Sequence, residues 1–61
     1  MDLGRWLKAL GFEAYTQDFL DHHIDEQTLA LLTMDDLKEM GVSSVGHRRK
    51  ILAAIKEASG W

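Results

Sequence analysis

Apolar residues recur along the chain at helical spacing, in five short groups set apart by turn residues. Trp6, Leu7 and Leu10 form the first, with Asp2 placed to cap its start and Gly11 where a C-terminal cap falls. Ala14, Tyr15, Phe19 and Leu20 form a second amphipathic set that ends near His22 and His23. Asp25 then offers an N-cap with Glu26 in the first turn, and Leu29, Leu31 and Leu32 supply the apolar residues of a third short helix. Thr33 opens a fourth. Asp36 stands three residues on, where a capping box places an acid, although Asp is shorter than the preferred Glu or Gln. Leu37 and Met40 are the inward residues of this helix and Gly41 is its stop.

The last group predicts the longest helix. Ser43 or Ser44 is its cap, Ile51, Leu52, Ile55 and Ala58 make the inward stripe, and Arg49, Lys50, Lys56 and Glu57 lie toward water. No alternating run is long enough to predict a strand. Helices this short are marginal alone, so five of them need a shared core, whose expected centre is Trp6, Phe19, Leu29, Leu37, Ile51 and Ile55. The reading is an all-α, compact bundle of five helices with a longer C-terminal one.

Length sharpens this picture. Sixty-one residues allow one domain, spanning 1–61, which is expected to be excised from a larger protein or to form its N-terminal part. Ser59, Gly60 and Trp61 resemble the beginning of a linker. With no proline, few glycines and 46% apolar residues, the composition suits a helical globule rather than disorder. The absence of cysteine excludes disulfides, thiolate metal sites and cysteine nucleophiles. No apolar run approaches the ~20 residues of a membrane span. Asp2, Arg5 and Lys8 interrupt any signal-type start, so a cytoplasmic setting is expected.

Charge changes the picture more. Between Glu13 and Glu39 eight acids face a single lysine, a net −7. From Ser43 onward Arg48, Arg49, Lys50 and Lys56 face only Glu57, a net +3. Such separation is compatible with a solvated face, yet it also favours a partner of opposite polarity. Arg48, Arg49 and Lys50 stand near a helix N-terminus, where each exposed cation opposes the macrodipole at roughly 0.3–1 kcal/mol. Three in a row suggest compensation by an acidic partner, within the chain or outside it.

The ordered set of motifs resembles the sterile alpha motif, or SAM, domain. The resemblance rests on Trp6-Leu7, Leu10-Gly11-Phe12 leading to Tyr15 and Phe19, and Ile24-Asp25 before Leu29. It continues through Leu32-Thr33, Asp36-Leu37, Met40-Gly41-Val42 and Gly46-His47-Arg48, and closes with Lys50-Ile51-Leu52 and Ile55. Each piece is common alone; the set at these spacings is specific and covers nearly the whole chain.

The resemblance implies a five-helix interaction module, and often head-to-tail self-association through two surfaces. One, the end-helix surface, comes from the start of the last helix and is frequently basic; here it implies Val45, Gly46, His47, Arg49 and Lys50. The other, the mid-loop surface, is frequently acidic and comes from the central helices. Its candidates are Asp21, Asp25, Glu26, Met34, Asp35, Asp36 and Glu39, some of which are expected to face elsewhere. The implied partner is another copy of the chain, forming a filament or a ring, or alternatively a different SAM domain. A further alternative is an RNA hairpin held by Arg48, Arg49 and Lys50, with Arg5 and Lys8 extending the patch. Net acidity and the lack of a wider basic stripe weigh against nucleic acid. A patch of about three charges, at around 1 kcal/mol each near an anionic surface, gives lipid still less.

Catalytic readings are weaker than plain structural ones. Gly46 fits either a loose first helical turn or the close approach of a partner. His22 and His23 are adjacent, so they point in different directions, and no third ligand stands at a standard spacing; no metal is expected. His47 fits packing or hydrogen bonding at a helix start better than a base. Asp35 and Asp36 occupy a helix N-terminus, where carboxylates are stabilising in any case. Phosphate-binding glycine motifs are absent, and a chain this small has little interior for a pocket. No cofactor and no enzymatic activity are expected.

Overall fold

The structure is a computed structural model that describes residues 2–58. Its order is α1 (Leu3–Ala9), a 3₁₀ turn (Glu13–Tyr15), α2 (Thr16–Asp21), α3 (Glu26–Leu29), α4 (Met34–Glu39) and α5 (Val45–Ala58), with no strand among the described residues. The five-helix bundle with its long last helix is therefore present. The second apolar group divides into the 3₁₀ turn and α2. The third helix is shorter than its apolar run and ends at Leu29. Ser59–Trp61, read as a linker start, lies outside the described residues.

Three of the helices end in the same way. In α1, the Gly11 N–H donates to the Lys8 carbonyl (3.0 Å) and Phe12 N–H to the Leu7 carbonyl (2.8 Å). In α4, Gly41 donates to Lys38 (3.2 Å) and Val42 to Leu37 (3.0 Å). This paired closure is the Schellman motif, which needs a left-handed residue at its turn and joins an apolar residue beyond the helix to one a turn back. Gly11 (φ 82°) and Gly41 (φ 111°) supply that conformation. In α2 the same pair of bonds forms, His23 to Leu20 (3.1 Å) and Ile24 to Phe19 (3.0 Å), but the left-handed residue is His23 (φ 56°).

The residues one turn back in these three motifs are Leu7, Phe19 and Leu37, all fully buried. The turn chemistry thus drives three anchors into one centre, where Val42 and Ile51 join them and Phe12, Leu29, Met40 and Ile55 complete the core. Trp6 is not at that centre: it is half-buried and packs against the edge, with Leu3, Tyr15, Ile24, Leu32 and Leu52. Helix starts follow their expected caps. Asp2 accepts from Arg5 N–H (3.2 Å), and Asp25 accepts from Thr28 N–H (2.8 Å). The Thr33/Asp36 box closes in both directions, at 3.2 and 3.0 Å. Ser44, rather than Ser43, caps α5 through its Oγ, which accepts from His47 N–H (3.3 Å).

Candidate protein interface

The start of α5 presents five of its first six residues at the surface. Val45 is 52% exposed, large for an aliphatic residue. Gly46 is helical, and a methyl group there would meet only Ser44 Oγ, at 3.8 Å. Among the described residues nothing requires a glycine at that position. Arg49 and Lys50 are exposed, and neither side chain bonds to any described residue. Residues three and four apart share a helix face, so Gly46 lies beneath both cations as a bare floor.

His47 is held in place. Its Nδ1 and the Tyr15 hydroxyl share a hydrogen bond of 2.7 Å. Its ring lies 4.9 Å from that of Phe12 and 5.8 Å, edge-on, from that of Tyr15. The 3₁₀ turn brings Tyr15 there, because Tyr15 N–H donates to the Phe12 carbonyl (2.9 Å) and Phe12 is anchored on α1.

Arg48 departs from the sequence reading. It is 8% exposed, and its guanidinium lies under α4, where Nη1 donates to the Met34 carbonyl and Nη2 to the Ser43 carbonyl, both at 3.5 Å. Its Nε has no partner. The basic cluster is therefore two exposed cations and not three. These stand at the fifth and sixth positions of α5, where the dipole has largely faded, so the macrodipole conflict is smaller than the sequence suggests. An RNA hairpin loses one of its three expected phosphate contacts at this helix start by the same burial.

The acidic middle is less uniform than its charge count implies. Asp36 is committed to the Thr33 backbone, and Asp21 accepts from Gln17 Nε2 (2.9 Å). Asp25 accepts from both the backbone and the hydroxyl of Thr28, which holds its carboxyl below the usual aspartate range. Glu26 is exposed on α3, and Met34 is half-buried. Asp35 and Glu39, exposed on α4, have side chains bonded to no described residue. The last helix and α4 are joined by Arg48, whose guanidinium reaches the backbone carbonyl of Met34, the first residue of α4.

Sequence reasoning missed one candidate. Leu31, read as one of the apolar residues of the third helix, is 74% exposed in the loop before α4. The spacing contains the signal: Leu29 and Leu32, three apart, share a face, whereas a residue two beyond Leu29 is rotated by about 200°. Leu20, a member of the second amphipathic set, is 56% exposed, and Leu10 sits at 36%. Leu20, Leu3 and Ile24 line a shallow open groove with Asp25, Glu26 and Gln27. Among the described residues no cluster of His, Asp or Glu is arranged to hold a metal, and no helix is long and apolar enough to cross a membrane.

A small helical bundle with oppositely charged surfaces and exposed aliphatic residues defines an interaction domain. The chain belongs to the sterile alpha motif family, whose match covers residues 1–59. It is 47% identical over 58 residues to mouse Protein bicaudal C homolog 1, covering 95% of this chain and 6% of that protein. It is 44% identical over 55 residues to mouse SH3 and multiple ankyrin repeat domains protein 1, covering 90% of this chain and 2% of that one. It is 45% identical over 51 residues to the Sexual differentiation protein ste4 of Schizosaccharomyces pombe, covering 84% of this chain and 19% of that one. The chain thus spans a small part of each relative. No solved structure matches it. SAM domains are as a class modules of protein–protein interaction.

Proposed function

We propose that the chain associates head to tail with copies of itself, the start of α5 on one copy docking against the α3–α4 region of the next. One observation carries this reading. Each region holds charges of one sign with no partner among the described residues, Arg49 and Lys50 on one side and Asp35 and Glu39 on the other, together with an exposed aliphatic residue, Val45 or Leu31. Opposed charges set encounter and register, and aliphatic contact slows dissociation. Asp21, Asp25, Glu26, Met34 and Asp36 border the acidic surface, while Gly46 lets the partner reach the α5 backbone closely. Because the two surfaces differ, the contact is heterologous and builds an open filament or a ring. The same surfaces suit another SAM domain, which is the heterotypic form of the proposal.

Light scattering over a concentration series tests it. Arg49→Glu with Lys50→Glu is expected to give monomer, and so is Asp35→Ala with Glu39→Ala. Mixing the two variants restores one intact junction and yields a dimer that grows no further. A wild-type chain that remains monomeric at ~1 mM, the weak end of specific association, overturns self-assembly.

A further inference from the structure

We infer that Tyr15 is a positioning residue of this interface: its hydroxyl donates to His47 Nδ1 and so presents His47 Nε2–H as a fixed donor to a carboxylate of the docking copy. The inference rests on the assembly reading above, and it adds a residue from the 3₁₀ turn to a surface otherwise built from α5.

In a neutral imidazole one nitrogen accepts and the other donates, and the bond made by the first decides the tautomer. The Tyr15 hydroxyl lies 2.7 Å from Nδ1, a normal O–H···N distance. With Tyr15 donating, Nδ1 is the acceptor and the proton resides on Nε2. The opposite arrangement would leave a bare lone pair on Nε2, which repels a carboxylate. The ring is also fixed in orientation, by Phe12 at 4.9 Å and Tyr15 edge-on at 5.8 Å. Phe12 is buried, and its backbone is tied to Leu7 at 2.8 Å. The donor is thus ordered before any partner arrives, which removes a side-chain ordering cost from docking.

Its surroundings suit a carboxylate. His47 is exposed and shares a helix face with Lys50, three residues on. Gly46 beside it leaves the backbone open to a close approach. A neutral N–H donor at the third position of α5 also avoids the repulsion that a full charge would meet from the helix dipole. Asp35 and Glu39 of the docking copy, bonded to no described residue, are the carboxylates at hand.

The test uses the one-junction dimer. Tyr15→Phe and His47→Gln are placed, singly and together, in the chain that supplies the intact α5 start, and affinity is measured by titration calorimetry. Tyr15→Phe keeps the ring and its packing, and a thermal melt checks that it folds. It is expected to weaken docking roughly fivefold, the worth of one hydrogen bond. In the His47→Gln background it should have no further effect, because the coupling runs through the imidazole. Nitrogen-15 spectra of the imidazole, recorded on the monomeric variant in alkaline buffer, should show the Nε2–H tautomer in the parent and a mixture in Tyr15→Phe. An unchanged tautomer, or a full fivefold loss persisting beside His47→Gln, overturns the role of Tyr15 while leaving assembly intact. Failure of the parent pair to dimerise overturns the assembly reading, and with it the use made of the pair, whatever the tautomer.

Discussion

At the scale of single residues, the α2–α3 junction departs from the pattern set by its neighbours. The three Schellman closures are alike in their bonds, but Gly11 and Gly41 occupy the left-handed position in two of them and His23 in the third. A side chain in that conformation costs roughly 1–2 kcal/mol relative to the right-handed one. His23→Gly is therefore expected to raise stability by about 1 kcal/mol, less the extra freedom glycine gives the unfolded chain. A urea melt reads this as a higher midpoint at unchanged slope. An unchanged or lower midpoint would mean that the exposed imidazole makes a compensating contact. Two of these turns were legible because glycine announces them; the third was not, because His23 carries no such mark. Leu31 was placed in the third helix, which ends at Leu29, for a related reason. A run of leucines shows that something is buried, but only the register around Leu29 and Leu32 shows which one is not.

At the scale of helices, caps were the most readable feature and the sidedness of α5 the least. Asp2, Asp25, Thr33 and Ser44 all stand where hydrogen-bonding geometry demands a short polar side chain, and the structure uses each as a cap. The triplet Arg48-Arg49-Lys50 looks like one patch, yet successive helical positions are turned by about 100°, so three neighbours cannot share a face. Ile51 and Ile55 fix which side of α5 is inward, and Arg48 lies three residues before Ile51, on that side. Burial leaves its guanidinium with two long bonds to carbonyls and an unpaired Nε, poor compensation for a desolvated charge. Arg48→Met, similar in length and apolar, is expected to change stability by less than about 1 kcal/mol and affinity by less than about twofold. Arg49→Glu should abolish docking at equal stability. Calorimetry of the one-junction dimer and thermal melts of each variant separate the two; comparable losses of affinity from both would return Arg48 to the interface.

At the scale of the molecule, size and charge act together. A chain of 61 residues buries only about 60% of its unfolded surface, so little apolar area is left to recruit for binding, and isolated residues such as Val45 and Leu31 stand out. The charge division was fully legible, since counting needs no fold. What the count could not supply was which acids are already engaged in caps and which remain available. Asp25 and Asp36 belong to the first kind, Asp35 and Glu39 to the second. This division predicts a kinetic signature for the one-junction dimer. Raising ionic strength from about 0.1 M to about 1 M shortens the Debye length from about 10 Å to about 3 Å. The association rate, steered by α4 acids and α5 cations, should fall by about tenfold or more, while dissociation changes by less than about threefold. Leu31→Ser should do the reverse, leaving association within about twofold and speeding dissociation by about tenfold, the loss of one aliphatic contact. Stopped-flow mixing at the two salt concentrations measures both rates. Salt-insensitive association would show that the charges do not guide docking, and an unchanged dissociation rate in Leu31→Ser would place the apolar contact elsewhere, with the groove of Leu3, Leu20 and Ile24 as the next surface to alter.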